Sequence, residues 1–331
     1  MFEQTTALSL ISPEPEHLIA FVQEADPRDL KPDTITLTRM DGHHNDVYAV
    51  EVPPCSDPRA LPRKSVLRHP RATTGIGPME AECRVREDIL HGLRTPRVLH
   101  FGYLPLPGVQ SPAMLEEYID GEPKPFDTLT GTEIISLADA IKEVHERTSG
   151  YFSSTSGQEP TCTGTYGDYM GAMVAESVTG PLETFDMRPY SQAEQMVVRG
   201  LRKLECLVAA TPEFSIPAAF SLLHRDLSWR NVLWPDGAML IDWNATYGDI
   251  PDDLSYVLVD NQVPPAFEEA FLAAYAPTPE VLARMEAYTY KNRLDDMMWA
   301  IGMQVRYGAA YDAVYTQRFE ALQALLEGSD R

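Results

Sequence analysis

The stretch that decides the reading of this chain is His224-Arg225-Asp226-Leu227-Ser228-Trp229-Arg230-Asn231, followed by Val232-Leu233-Trp234, the turn Pro235-Asp236-Gly237, and Met239-Leu240-Ile241-Asp242-Trp243. It is a short polar loop running into a tight hairpin, with polar residues at the open end. Asp226, Asn231 and Asp242 are oxygen-bearing groups at fixed spacing. Phosphoryl transfer from a nucleotide asks for such a set: one carboxylate to orient the acceptor hydroxyl and take its proton, and an amide oxygen plus a second carboxylate to hold Mg²⁺ on the phosphates. A hairpin returns Asp242, eleven residues on, to the same end as Asn231.

Working outward, the residues before this stretch divide in two. Ser12-Pro13-Glu14 reads as a helix start, with a helix to about Ala25 that buries Leu18, Ile19 and Val22. Residues 34–40 and 46–52 alternate apolar and polar residues around the turn cluster Asp41–Asn45, which predicts a hairpin. Residues 64–69 predict a third strand ended by Pro70. A helix is expected over about 78–93, with Val85, Ile89 and Leu93 at helical spacing, and strands are expected over 97–104 and 113–119. After Asp120-Gly121-Glu122-Pro123 the pattern turns helical: 134–147, 191–210 and about 281–307, with Ser149–Thr165 as a loop rich in Ser, Thr and Gly.

On these residues the chain resembles the protein-kinase-like small-molecule kinases, specifically the aminoglycoside phosphotransferase and choline kinase group. The resemblance runs over most of the chain and is most specific in the catalytic segment. It implies an α+β, protein-kinase-like two-lobed fold: a small N-terminal antiparallel sheet with one helix and a mainly helical C-terminal lobe. It implies an N-lobe over 1–117, a hinge over 118–122 and a C-lobe over 123–331.

The same resemblance implies roles. Asp226 would be the base, and Asn231 and Asp242 would carry Mg²⁺. Gly42 and Asn45 would lie in the loop that covers ATP or GTP. Arg68 would meet the nucleotide phosphates, and Glu82 would pair with it. Backbone groups of Glu117 and Ile119 would meet the base. Asp249 and Asp253 would brace the catalytic loop, and His224 would hold it. This sequence has its own features too. Arg68 stands where protein kinases carry Lys, keeping the charge but changing the geometry. Ser228 stands where Lys or His is common, so a phosphate contact is absent or supplied by Arg230. Glu116 falls at a base-pocket position that is usually apolar. Glu80 and Glu87 share the expected helix with Glu82 and read equally well as solvated. Thr74–Gly77 reads as a connection, and His43-His44 as an exposed turn pair.

In the C-terminal helices the resembled family lines its acceptor pocket. Glu268, Asp295 and Trp299 are the candidates here, and the last two are four residues apart on one helix face. A carboxylate with an aromatic suits a cationic or sugar acceptor; a solvated polar face is the plainer reading of each.

Across 331 residues there are 27 Lys and Arg against 49 Asp and Glu, a formal charge of −22. That acidity excludes a nucleic-acid partner, which needs a basic surface, and docking on anionic membrane lipid. It admits a cationic small molecule. Four scattered cysteines without metal-ligand spacing point to a reducing, cytoplasmic setting. Asp242 is followed by Trp-Asn and Pro251 comes nine residues later, which leaves little room for a peptide platform. The expected activity is therefore ATP- or GTP-dependent phosphorylation of a hydroxyl on a small molecule, with an antibiotic ahead of a metabolic acceptor such as choline, homoserine or a sugar. A nucleotide-binding module without turnover is the alternative from another class.

Overall fold

The computed structural model describes residues 13–40, 45–70, 79, 82–83, 90, 92–106, 109–152, 163–260 and 263–328. Gly42, His43-His44, Thr74–Gly77, Glu80, Val85, Glu87, Ile89 and Ser12 lie outside the described residues. By compactness the chain forms two units, Met1–Glu122 with Leu233–Ile241, and Pro123–Val232 with Asp242–Arg331.

In the first unit, helix α1 (Pro15–Ala25) starts with Pro15 at its first turn, not Pro13. Glu14, preceding a proline, is held extended at φ −64° and ψ 150°, so the helix cannot reach back to it. Leu18, Phe21 and Val22 form its buried face. Five strands follow: β1 (Thr36–Met40), β2 (Asn45–Glu51), β3 (Lys64–Pro70), β4 (Val98–Leu106) and β5 (Val109–Glu117). All pairings are antiparallel in the order β1-β2-β3-β5-β4. Alternation sends Val50, Leu67, Ala113, Leu115 and Leu104 to the α1 side, forming one core. Met114 faces the other way, into a small cluster with Met79 and Cys83. Arg68 sits opposite Met114 in the β3–β5 register.

The helix expected over 78–93 is described only at Met79, Glu82 and Cys83. It stops short of Leu93. Leu90 and Leu93 lie in a turn closed by the Leu93 N–H on the Leu90 carbonyl (3.0 Å), around Gly92 at φ +86°. A left-handed glycine is the usual helix terminator.

The second unit is helical for the reasons its sequence suggests. Thr130 and Glu133 form a reciprocal capping box that starts α2 (Gly131–His145), with Ile134, Leu137, Ala138, Ile141 and Val144 buried. A small sheet follows, built from β6 (Thr148–Ser149), β7 (Phe220–Leu223) and β10 (Thr246–Gly248) in the order β10-β7-β6. β7 was not expected from the sequence; its four residues are all buried, and so short an apolar run carries no period. Helix α3 (Tyr166–Val174) passes through a wide π turn at Ala175–Thr179 into α4 (Gly180–Thr184). Then come α5 (Ser191–Ala210), α6 (Ile250–Ser255), α7 (Pro265–Tyr275), α8 (Pro279–Tyr307) and α9 (Asp312–Gly328). Tyr169, Tyr288, Tyr290, Leu294 and Met297 centre its core. The hairpin strands β8 (Val232–Leu233) and β9 (Met239–Leu240) form a two-stranded sheet, and the Leu240 N–H donates to the Arg94 carbonyl (2.9 Å). Among the described residues, no helix is long and apolar enough to cross a membrane.

Candidate active site

The catalytic loop starts where β7 ends. The carboxylate of Asp253, on α6, accepts two backbone N–H groups at once: His224 on Oδ2 and Arg225 on Oδ1, each at 2.7 Å. Arg225 is held there at φ +63°, a left-handed conformation that costs a non-glycine residue about 1–2 kcal/mol. The turn reverses the chain so that Asp226 follows directly. Its N–H donates to His224 Nδ1 (3.3 Å), and His224 packs on Trp243 with ring centroids 4.5 Å apart. The Asn244 N–H donates to the His224 carbonyl (3.1 Å), tying the segment after the hairpin to the loop before it.

That arrangement brings Asp226, Asn231 and Asp242 together. Asn231 ends a short 3₁₀ turn (Trp229–Asn231) and donates its side-chain N–H to the Asp226 carbonyl at 2.9 Å. Its amide oxygen is thereby the end turned away from the loop. Asp242 is exposed at φ +57°. Burial, and next the charge of Asp242, push the Asp226 carboxyl up to about 6. An amide oxygen and a carboxylate are hard donors of the kind that suit Mg²⁺, which takes few protein ligands and keeps waters and phosphate oxygens for the rest. Among the described residues, no group of three or more His, Cys, Asp or Glu gathers to hold a metal by itself. Ser228 begins the 3₁₀ turn, and Arg230 lies exposed over the Trp229 ring at 4.6 Å.

In the first unit, Arg68 and Glu82 form a buried two-pronged salt bridge, with Glu116 3.8 Å from Arg68. Glu116, expected at a base-pocket position, is a second acid facing Arg68. Asn45 opens β2 opposite Pro70. The Glu117 N–H donates to the Arg97 carbonyl (2.9 Å), so a base contact there would use the Glu117 carbonyl. Ile119 lies just past β5.

The acceptor candidates do not form one group. Asp295 is compensated: Lys291 reaches it at 2.8 Å, and Ser177 of the π turn donates to it. Trp299 is exposed and meets the edge of Tyr311, centroids 6.4 Å apart. Glu268 is exposed on α7, whose buried face of Phe267, Phe271 and Tyr275 belongs to a different helix from Asp295 and Trp299. Asp249 does not brace the catalytic loop. It takes two 2.7 Å hydrogen bonds from Arg284 of α8. Further residues also converge here. Asp252 accepts from Tyr169 and from the buried Lys291, both at 2.9 Å, with Arg225 Nε at 3.8 Å. His145 contacts Asp253. The available signal was a histidine continuing the apolar stripe of α2.

A loop carboxylate with an amide and a second carboxylate at the ends of a tight hairpin is the arrangement expected of a phosphotransferase. Residues 41–288 match the phosphotransferase enzyme family (APH), and the chain belongs to that family. It is an enzyme of the small-molecule kinase class. Among solved structures it is similar to a thermostable mutant of aminoglycoside phosphotransferase APH(4)-Ia, in ternary complex with ADP and hygromycin B. The TM-score is 0.65 at 17% identity, covering 94% of this chain and 98% of that one. It is similar to choline kinase from Cryptosporidium parvum Iowa II, with TM-score 0.62, 14% identity, and 95% and 96% covered. It is also similar to a choline/ethanolamine kinase family protein from Mesorhizobium loti, with TM-score 0.60, 20% identity, and 94% of each chain covered. At such identities these likenesses establish the kinase-like fold. No curated protein matches this chain.

Proposed function

We propose that this protein transfers the terminal phosphoryl group of ATP or GTP to a hydroxyl of a small molecule, with an antibiotic such as an aminoglycoside as the acceptor class. The observation that carries the reading is the convergence of Asp226, Asn231 and Asp242 at one loop and hairpin. Asp226 aligns the acceptor hydroxyl and takes its proton. Asn231, through its amide oxygen, and Asp242 would hold Mg²⁺, which when bound neutralises phosphate charge. Arg68, fixed by Glu82, supplies positive charge for the phosphates. Gly42, Asn45 and the backbone at Glu117 and Ile119 serve the nucleotide. Glu268, Asp295 and Trp299 are the acceptor-side residues of this reading. Binding residues alone would suffice for a silent nucleotide sensor; a half-buried carboxylate with a raised pKa, beside Asn231, supports turnover.

One observation favours a second acceptor class. Asp295 is matched by Lys291, and Asp296 by Arg293 and Arg318 at 3.3 and 3.0 Å, so these acids offer little net charge to a polycation. A metabolic kinase for choline, homoserine or a sugar needs less.

The test mixes protein and Mg²⁺ with ATP or GTP and a panel of aminoglycosides, other hydroxylated antibiotics, choline and sugars, and reads each acceptor by mass. A gain of one phosphoryl group that disappears with Asp226→Ala supports the reading and names the acceptor. Nucleotide binding with no transfer to any acceptor supports the silent module. No nucleotide binding rejects both.

A further inference from the structure

The loop that presents Asp226 is held by Asp253, and Asp253 is itself held from the ends of two further helices. His145, in the last turn of α2, places Nε2 3.1 Å from Asp253 Oδ2. Its other nitrogen, Nδ1, lies 2.7 Å from the hydroxyl of Tyr275, the last residue of α7, 130 positions away. The two rings meet edge to face, centroids 5.7 Å apart at 74°. All three side chains are buried.

The chemistry of these groups orders the protons. A carboxylate only accepts, so Nε2 of His145 carries a proton toward Asp253. In the Nε2–H tautomer Nδ1 is an acceptor, and the Tyr275 hydroxyl donates to it. Burial pushes the phenol well up from its ordinary value, so it stays a donor throughout the working range. Burial also works against the charge of Asp253, but the hydrogen bonds from His145 and His224 outweigh it and hold that carboxyl below its usual range. Asp253 therefore stays an acceptor, with the amides of His224 and Arg225 and the His145 ring as its donors.

We propose that Tyr275 is a positioning residue for phosphoryl transfer, acting through His145. Tyr275 selects the His145 tautomer, His145 orients Asp253, and Asp253 fixes the left-handed turn at Arg225 that aims Asp226. The last step rests on Asp226 being the base, as proposed above. The relay up to the Arg225 amide does not.

Tyr275→Phe removes the donor and keeps the ring. Amide hydrogen exchange at His224 and Arg225 is measured in the whole protein, with the core amides of Leu137 and Ala138 as internal control. Hydrolysis of MgATP and MgGTP is followed by phosphate release. The expected result is faster exchange at the two loop amides only. Turnover number should fall about tenfold, the lower end of what an orienting partner of a ligand costs, with nucleotide KM unchanged. The ¹⁵N shifts of His145 should lose the pure Nε2–H pattern. Should Tyr275→Phe fold poorly, His145→Gln and His145→Leu make the same comparison. Gln keeps an N–H for Asp253 and should retain most turnover, whereas Leu should not. Unchanged loop exchange in Tyr275→Phe overturns the relay. Faster loop exchange with unchanged turnover overturns the positioning role. Asp226→Asn run alongside separates either result from a failure of the base assignment, because only that variant bears on it.

Discussion

Arg68 and Glu82 meet through two parallel hydrogen bonds, Nη1 to Oε1 at 2.8 Å and Nη2 to Oε2 at 3.1 Å, with both side chains buried. The planar fork of arginine makes this geometry available; a lysine ammonium would offer one point contact. Glu82→Ala leaves the guanidinium with Glu116 at 3.8 Å as a more distant acid. We expect a loss of about 3 kcal/mol in stability, the range for breaking a buried pair on one side. Nucleotide KM should rise as Arg68 turns toward Glu116. Urea denaturation and nucleotide titration read the two effects. Arg68→Lys should fold nearly as well but bind nucleotide less tightly, and equal binding would remove the argument from bidentate geometry.

Asp226 sets catalytic need against stability. Its carboxyl is raised from 3.8 to about 6, so the folded metal-free protein holds it protonated below about pH 6. A raised folded value means that the favourable contribution is full below about pH 4 and is lost as pH climbs through 6. The difference corresponds to about 3 kcal/mol. Metal-free Asp226→Asn should therefore be more stable than the parent at pH 8, by up to that amount, and match it near pH 4. Transfer activity should be abolished at both. Denaturation curves at the two pH values decide it; a variant less stable at pH 8 contradicts the sign.

Gly121 has no room for a side chain. A Cβ there would lie 2.7 Å from the Pro235 nitrogen and 2.9 Å from the Trp234 carbonyl carbon, both backbone atoms of the hairpin. Gly121→Ala should cost about 1–3 kcal/mol, the usual range for overpacking. Gly131→Ala, with nothing within 4 Å of its Cβ, is the control and should leave the melting temperature unchanged or raise it.

The α2 cap gives a cleaner acid response. Glu133 is lowered to about 2 by the Lys124 hydrogen bond first, then by the Thr130 backbone and hydroxyl. A depressed folded value means that its contribution is complete above about 4.5 and disappears as pH falls toward 2. Thr130→Ala should cost about 1 kcal/mol at pH 7, as cap deletions do. The gap between parent and variant should narrow between pH 4.5 and 2, which thermal melts across that window would follow.

Legibility in the sequence tracked the range of the interaction. The spacing His224–Asn231 to Asp242 and the helical stripe of α2 are local patterns, and both could be read directly. So could α5, which occupies the residues expected of it, Ser191–Ala210. Glu82 stood out only because a helix was expected one segment after Arg68. What escaped was contact between distant positions. Lys291 to Asp252 spans 39 residues and His145 to Tyr275 spans 130, and nothing in the flanking residues announces either. Asp249 illustrates the reverse error: an acid close in sequence to the catalytic loop was expected to brace it, but Arg284 on a later helix claims it instead. The start of α1 failed on a finer point, the choice between two prolines.

The chain passes from one compact unit to the other at Glu122–Pro123, again at Val232–Leu233, and back at Ile241–Asp242. Neither unit is therefore a single exchangeable piece of the gene. A proteolytic nick within 118–122 would leave two further covalent tethers. A chimaera joined to a relative at residue 122 would import a foreign neighbour for Trp234 and Pro235 while keeping the native hairpin. The nine residues Leu233–Ile241 have to travel with the N-terminal segment for recombination to preserve its packing, because the natural seam here is three cuts and not one.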